Sequence, residues 1–227
     1  MAQLQNEWKK YWEDRVSTDG SYYGKTGSNA DKIINILKIK KGDVVFDIGC
    51  AVGAHLSDIT DKTGADCHEI DISPIAIKLN KDKRVKTRVA DMEKTSFPDN
   101  FFTKVFSLGV FEHMPRSLSV MRELNRIMKP HGLAYITVPN KFSFFHITKN
   151  IKMHLGTWDL GYEKSFTKNE IQKIVNKSGF RLVSYWTEPH IQTANIFNRL
   201  DNYLNKISKQ HFGFFVHFVV EKIGNVK

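Results

Sequence analysis

Acidic and glycine residues follow short apolar segments in the first half of the chain. Asp47 stands near the end of VVFDI and opens a turn that reaches Gly53, and Asp71 closes the segment CHEID. Glycine permits a tight turn and a close approach of the backbone to a ligand. A carboxylate about 20 residues beyond such a turn can accept hydrogen bonds from a pair of ribose hydroxyls. These residue types at this spacing indicate a site for a nucleoside.

Two later apolar segments end in a similar way. Asp91 and Met92 follow VKTRVA, and the run Leu108 to Met114 follows KVFS. In an open parallel sheet, ligands bind beyond the carboxyl ends of the strands. Taken singly, Asp71 could cap the next helix, Asp91 could stabilise a turn, and the glycines could serve turning alone. Their agreement at successive segment ends favours one common ligand site.

The elements that must position these residues alternate between strands and helices. Apolar strands separated by helices are typical of a parallel sheet built from βαβ crossovers. We therefore predict an α/β fold with a Rossmann-like, doubly wound, mostly parallel seven-stranded sheet and helices on both faces. The predicted strands span residues 44–48, 67–71, 85–90, 104–110, 133–138, 181–188 and 214–223. The predicted helices span 2–16, 29–38, 55–62, 74–81, 117–128, a segment from a Thr167–Glu170 capping box to Ser178–Gly179, and 194–210.

The first turn argues against a dinucleotide. A dinucleotide loop needs glycine at its first, third and sixth positions, which here are Gly49, Ala51 and Ala54. The missing middle glycine disfavours a pyrophosphate, and Asp47 just before the turn suits a ligand without phosphate there. A nicotinamide oxidoreductase is therefore the least favoured function.

The order and spacing of these motifs resemble those of class I S-adenosylmethionine-dependent methyltransferases, over about residues 30–190. The resemblance is strongest to the small-molecule branch, which includes quinone-pathway, glycan and natural-product enzymes. The family loop reads D/E-x-G-x-G-x-G, which this chain matches at Asp47, Gly49 and Gly53, with Ala51 as a mild departure. The resemblance implies S-adenosyl-L-methionine as cofactor, S-adenosyl-L-homocysteine as product, and a single methyltransferase domain over 1–227.

The same resemblance implies roles for individual residues. The Gly49–Gly53 loop would contact the methionine part of the cofactor, and Asp71 the ribose. Asp91 and the Met92 backbone would contact the adenine edge, while Leu108 and Gly109 would lie beside the methionine moiety. Residues 1–28 would form a lid over the cofactor. The predicted cofactor-binding residues are Asp47, Gly49, Cys50, Gly53, Asp71, Ile72, Asp91, Met92, Leu108, Gly109, Tyr11 and Tyr23.

The acceptor side is expected in two insertions, 140–165 and 190–212. His113, after the fourth strand, is the candidate catalytic base, and a hydrogen-bonded supporting role is the alternative. The predicted substrate-binding residues are His146, Trp158, Tyr162 and Glu163. Aromatic and lysine side chains in this part suit an anionic or lipid-linked small molecule. The expected methyl acceptor is an oxygen nucleophile on a sugar, lipid-linked or aromatic metabolite. The 194–210 helix is expected to cover the sheet edge, and a dimer contact is its alternative role.

Composition limits the remaining possibilities. The formal charge is +10, and residues 141–227 hold 13 Lys/Arg against 6 Asp/Glu. This excess is either a solvated surface or a site for an anionic partner, and it is compatible with peripheral membrane contact. Cys50 and Cys67 favour a reducing, cytoplasmic setting. No metal site, transmembrane segment or DNA partner is expected, and the protein is predicted to be a monomer or homodimer.

Two alternative functions remain from the sequence. An RNA methyltransferase fits the basic charge, but SLGVFEHM contains neither an N/D-P-P-Y-type tetrapeptide nor a catalytic cysteine. A non-catalytic protein that only binds S-adenosylmethionine also fits, because a fold alone does not prove activity.

Overall fold

The structure is a computed structural model. It describes residues 29–50, 53, 55–80, 82–157, 162–189, 196–208 and 211–224, together with Asn6 and Lys10. The described chain divides into two compact units. Unit 1 comprises residues within Met1–Ser107 and Arg126–Ala134, and unit 2 those within Leu108–Asn125 and Tyr135–Lys227.

Seven strands form one sheet in the order β3-β2-β1-β4-β5-β7-β6. Pairing is parallel between β1 and β2, β1 and β4, and β2 and β3, whereas β6 and β7 are antiparallel. The mostly parallel seven-stranded sheet predicted from the sequence is thus confirmed. The strands are β1 Val44–Ile48, β2 Asp66–Asp71, β3 Lys86–Val89, β4 Phe102–Leu108, β5 Met128–Pro139, β6 Phe180–Glu188 and β7 Phe215–Lys222.

Helices connect the strands. The described helices are α1 Ala30–Leu37, α2 Leu56–Thr63, α3 Pro74–Leu79, α4 Ser117–Ile127, α5 Phe144–His154, α6 Lys168–Asn176 and α7 Ile196–Ile207, with a 3₁₀ turn at Phe111–His113. The order of elements agrees with the sequence prediction except for α5, which the sequence interpretation did not assign. The predicted helix over 2–16 lies outside the described residues, apart from Asn6 and Lys10.

Aromatic packing forms the core of each unit. In unit 1, Phe46 stacks on Phe102 with ring centroids 4.3 Å apart, and Phe97 meets both rings edge-on. In unit 2, Tyr135 stacks with Trp186 and shares a 2.7 Å hydrogen bond between its hydroxyl and Nδ1 of His217. These buried rings fix the strands whose carboxyl ends carry the candidate site.

The helix α7 lies against the edge strand β6 through a polar contact, since Asn205 accepts from the Thr187 hydroxyl. The apolar side chains Leu200, Tyr203 and Ile207 are exposed. Asp201 and Asn205 are buried instead. Both have hydrogen-bond partners inside unit 2, and these polar contacts hold the helix in this orientation.

The start of α6 has the predicted capping box. The Thr167 hydroxyl accepts the Glu170 backbone N–H, and the Glu170 carboxylate accepts the Thr167 backbone N–H at 2.8 Å. Two N–H groups that the helix itself leaves unpaired are satisfied in this way.

Replacing Thr167 by Ala should therefore lower the free energy of unfolding by about 1 kcal/mol. Urea unfolding followed by circular dichroism measures the change. Thr157→Ala, at an exposed position after α5, is the control and should leave stability nearly unchanged. An equal loss in both variants would contradict the role of the cap.

Candidate functional site

The carboxyl ends of β1 and β2 bring acidic side chains together in unit 1. Parallel pairing sets Asp47 opposite Glu69, and Asp71 ends β2 two residues later. All three residues are buried, with exposures of 3%, 0% and 8% respectively. Burial, followed by the charges of Glu69 and Asp71, raises the pKa of Asp47 well above its ordinary value. The strand ends thus form a buried acidic cluster.

The turn after β1 is held against β2 by backbone hydrogen bonds. The N–H groups of Gly49 and Cys50 both donate to the Ile70 carbonyl, at 2.9 and 3.2 Å. Gly49 has φ 75°, in the left-handed region that favours glycine. The turn requires this conformation immediately beyond Ile48, where a bound nucleoside would meet the backbone.

Gly53 is required for steric reasons as well. Its φ is 74°, and a Cβ there would collide with the Asn80 side chain and lie 3.1 Å from Glu69 Oε2. Asn80 Nδ2 in turn donates to Glu69 Oε1. Glu69 therefore packs directly beneath the glycine turn.

Glu69 is a buried acid that the sequence interpretation missed. Burial raises its pKa to about 7, although hydrogen bonds from Asn80 and Cys50 oppose that rise. The Oε2 atom is buried and has no hydrogen-bond partner among the described residues. A usable signal exists in the sequence, because both faces of a parallel sheet are covered and a glutamate inside the predicted strand CHEID is therefore expected to be buried.

Asp71 is oriented by the start of the next helix. Its Oδ1 accepts the Ser73 backbone N–H at 2.8 Å, while Ser73 itself caps α3 by accepting the Ala76 N–H. Asp71 is therefore not the helix cap. The carboxylate is instead fixed at the carboxyl end of β2, in the orientation set by Ser73.

The end of β3 forms a tight turn. Asp91 Oδ1 accepts the Glu93 N–H at 2.9 Å, and the Asp91 carbonyl accepts the Lys94 N–H at 3.2 Å. Met92 is 7% exposed. Asp91 thus stabilises a turn, as one interpretation of the sequence predicted. Its contact with adenine stays a prediction.

Unit 2 contains a second group of titratable side chains. The Lys149 ammonium is fully buried and lies 2.8 Å from Glu163 Oε1. Burial, followed by the charge of Glu163, raises the pKa of Glu112 to about 8, although a backbone hydrogen bond and Lys149 oppose the rise. Glu112 is therefore mostly protonated at neutral pH, and Lys149 and Glu163 form the charged pair.

His113 lies in the 3₁₀ turn of the same unit. Its Nδ1 is 2.9 Å from the Tyr162 carbonyl oxygen, which can only accept, so Nδ1 carries the proton and donates. Burial lowers the pKa of His113, although the Tyr162 contact and Glu163 oppose that change. In the neutral imidazole, Nε2 is therefore the nitrogen without a proton.

Known proteins similar to this chain settle its family. A family model described as a methyltransferase domain matches residues 46–136. The uncharacterized protein MJ1252 of Methanocaldococcus jannaschii is 30% identical over 96% of this chain and 91% of its own length. Phosphoethanolamine N-methyltransferase 2 of Caenorhabditis elegans is 29% identical over 77% of this chain. The chain belongs to the class I S-adenosylmethionine-dependent methyltransferases.

Solved structures share the fold of this methyltransferase. The methyltransferase in complex with the Haloferax volcanii Trm112 activator has a TM-score of 0.71 and 16% identity, covering 97% of this chain and 98% of that chain. A Haemonchus contortus phosphoethanolamine N-methyltransferase in complex with S-adenosyl-L-methionine has a TM-score of 0.66 and 18% identity, covering 86% of this chain and 52% of that one. The chain spans 40% of the Caenorhabditis elegans enzyme, which is therefore much longer.

The methyl donor of this family is S-adenosyl-L-methionine. The residues at the strand ends of unit 1 fit this cofactor. Carboxylates accept hydrogen bonds from ribose hydroxyls, and the turn at Gly49 exposes backbone at a strand end. Asp71 and the Gly49–Gly53 turn are the residues that would hold it. The acidic cluster also suits the positive charge of a sulfonium.

The structure locates most of the predicted site residues of this methyltransferase. Unit 1 brings together Asp47, Gly49, Cys50, Gly53, Asp71 and Ile72 at the ends of β1 and β2, with Asp91 and Met92 after β3. Leu108, Gly109, His113, Tyr162 and Glu163 belong to unit 2. His146 is 2% exposed and packs against the Phe214 ring, in the interior of unit 2. Tyr11, Tyr23 and Trp158 lie outside the described residues.

The described residues contain neither a cluster suited to a metal ion nor a helix that could span a membrane. Within the described ranges, no cluster of three or more His, Cys, Asp or Glu side chains has the arrangement of a metal site. The helices that the structure describes are all too short or too polar to cross a membrane.

The raised pKa of Glu69 predicts a pH-dependent stability. The folded protein holds this proton up to about pH 7, whereas the unfolded chain releases it near 4.5, so ionising Glu69 destabilises the folded state as pH rises between these values. Glu69→Gln keeps the acceptor for Asn80 and removes the ionisation. When the pH rises from about 5 to about 8, the free energy of unfolding of the variant should increase relative to that of wild type by on the order of 2 kcal/mol.

Urea unfolding at both pH values measures this gain. Glu93→Gln, at a half-buried position of the same unit, is the matched control and should show no such gain. A Glu69→Gln variant whose stability follows that of wild type at both pH values would show that Glu69 ionises normally.

Proposed function

We propose that this methyltransferase transfers a methyl group to an oxygen nucleophile of a small molecule, on an anionic sugar, a lipid-linked compound or an aromatic metabolite. The observation that carries the proposal is the placement of His113 in the 3₁₀ turn after β4, with Nδ1 fixed by the Tyr162 carbonyl at 2.9 Å. An oxygen nucleophile loses a proton as it attacks, and a positioned histidine is the side chain that most often takes it.

The cofactor supplies an electrophilic methyl group on a sulfonium. In unit 1, Asp71 would accept hydrogen bonds from the ribose, and the Gly49–Gly53 turn would contact the methionine part. Asp91 and the Met92 backbone would contact the adenine edge. Much of the rate enhancement then depends on positioning, because the methyl group is already activated.

His113 acts as the general base. The Tyr162 carbonyl holds Nδ1–H at 2.9 Å, so Nε2 is the atom that takes the proton of the acceptor hydroxyl. Because burial lowers the pKa of His113, its unprotonated, basic form persists to a lower pH than is usual for histidine.

Tyr162 and Glu163 contribute to acceptor binding. Tyr162 is 43% exposed and so accessible to a ligand. Glu163 is held by the buried Lys149 through both its carboxylate and its backbone carbonyl. This pair fixes the segment that carries the Tyr162 carbonyl, and thereby the tautomer of His113. Trp158 and His146 remain predicted substrate contacts, of which His146 would need the interior of unit 2 to open.

A nitrogen nucleophile is the second candidate. Its support is the similarity to phosphoethanolamine N-methyltransferase 2, which aligns with 77% of this chain. The basic charge of residues 141–227 suits a phosphorylated acceptor of that kind. Deprotonation of an ammonium group by His113 follows the same geometry.

Two further proposals concern the setting of the enzyme. Cys50 and Cys67 are buried thiols outside any disulfide, which supports a reducing, cytoplasmic compartment. Monomer and homodimer both remain compatible with the described residues.

The test uses methyl-labelled S-adenosylmethionine and a panel of acceptors that includes sugar nucleotides, phenolic acids, lipid-linked sugars and phosphoethanolamine. His113→Asn retains an N–H donor for Tyr162 but has no base. It should lower kcat by about 10²- to 10⁴-fold on the accepted substrate, with the affinity for S-adenosylmethionine unchanged.

His154→Asn, exposed at the end of α5, is the matched control and should retain full activity. Full activity of His113→Asn at all pH values would contradict the role of His113 as general base. Label transfer only to phosphoethanolamine would favour the nitrogen acceptor, and transfer to no acceptor with intact cofactor binding would contradict catalysis.

A further inference from the structure

The helix α5 buries two polar side chains and exposes apolar ones. His146 and Lys149 are buried, whereas Ile147, Ile151 and Leu155 are 41%, 55% and 67% exposed. Residues four apart lie on the same face of a helix, so these three side chains form one apolar stripe that runs along α5 to the residue just beyond its end. The usual arrangement of a surface helix is reversed here.

The helix α7 shows the same reversal. Asp201 and Asn205 are buried, while Leu200, Tyr203 and Ile207 are 40%, 62% and 59% exposed. Spacings of three and four residues again align the exposed side chains. The two helices contact each other within unit 2. We call the two exposed stripes together the outer apolar face.

Buried polar contacts fix both helices in this orientation. Asp201 accepts hydrogen bonds from the Ser143 hydroxyl at 2.6 Å and from the Phe144 backbone N–H at 2.9 Å, at the start of α5. The Thr187 hydroxyl donates to Asn205 at 2.7 Å. Lys149 pairs with Glu163. Rotating either helix to bury its apolar stripe would break these contacts, so the exposure is built into unit 2.

The charges beside the outer apolar face are positive. The exposed charged side chains of the described parts of α5 and α7 are Lys152, Arg199 and Lys206. The one acid in these two stretches, Asp201, is fully buried. Exposed apolar side chains interspersed with cations are complementary to a surface that is apolar below and anionic above.

A second copy of the chain is a poorer occupant. A two-fold dimer sets the same patch against itself, so the three cations would face their own copies. Like charges brought together without acids between them oppose such a contact. The charge pattern therefore favours an anionic partner.

We propose that the outer apolar face binds the surface of an anionic membrane, with the apolar stripes entering the interface and Lys152, Arg199 and Lys206 contacting lipid phosphates. The full-length protein should cosediment with vesicles of phosphatidylcholine containing phosphatidylglycerol. Binding should be weak to phosphatidylcholine alone and should fall at high salt, because exposed charges are screened.

Two variants separate the apolar and the electrostatic contributions. Ile151→Ser combined with Tyr203→Ser should reduce vesicle affinity by at least about tenfold, because two inserted side chains are lost. Lys152→Gln combined with Lys206→Gln should reduce it and flatten the salt dependence. The matched controls are Val89→Ser, an equally exposed apolar residue on β3, and Lys173→Gln with Lys177→Gln, on and just after α6. Both controls should bind as wild type does.

Three results would overturn the proposal: no wild-type binding to anionic vesicles at low salt, equal loss in variants and controls, or equal binding to both vesicle types. A stable dimer or a complex with an acidic protein that the Ile151→Ser/Tyr203→Ser variant disrupts, without vesicle binding, would assign the face to a protein. Circular dichroism checks that each variant is folded. Methyl transfer to a water-soluble acceptor tests the proposed function separately.

Discussion

The parallel pairing of β1 with β2 is the constraint on which the candidate site depends. The Ile70 carbonyl accepts both the Gly49 and Cys50 N–H groups, and the strand register sets Asp47 opposite Glu69. Without this pairing, the glycine turn would not lie over Glu69, and Asp71 would not stand at the same sheet edge. Burial raises the pKa values of Asp47 and Glu69, and the repulsion between neighbouring carboxylates adds to that rise. A cationic cofactor at this edge would relieve that repulsion.

A comparable polar arrangement organises unit 2. Lys149 is fully buried and is held by Glu163, next in sequence to the Tyr162 carbonyl that accepts from His113. A buried ion pair is weak support for stability, because desolvation offsets much of the attraction. Its contribution here is geometric, since it fixes the segment on which the histidine tautomer depends. Asp201 performs a similar task for α5 and α7.

The sequence predicted the features that depend on local patterns. The strands were visible as short apolar runs, and the Thr167–Glu170 capping box was visible from its spacing. The fold class followed from the alternation of strands and helices. The positions of Asp47 and Asp71 at strand ends followed from the same alternation, because parallel strands align their carboxyl ends.

The features that the sequence did not predict depend on distant partners. Periodicity showed that α7 has an apolar face but not which face is buried. That choice depends on Ser143, Phe144 and Thr187, which lie far from α7 in sequence. The pairing of Lys149 with Glu163 and the packing of Glu69 beneath Gly53 likewise require contacts across the fold. The helix α5 was missed because its buried face carries His146 and Lys149 rather than apolar residues.

The central claim is that Asp71, at the carboxyl end of β2, holds S-adenosylmethionine. Calorimetric titration with S-adenosylmethionine and S-adenosylhomocysteine tests it, with Asp71→Asn as the variant and Asp66→Asn, at the exposed start of the same strand, as the control. Wild type and Asp66→Asn should bind both compounds, and Asp71→Asn should bind at least about tenfold more weakly, since hydrogen bonds to a charged group contribute about 1.5–3 kcal/mol. Unchanged affinity in Asp71→Asn, or no binding of either compound to wild type, would contradict this account.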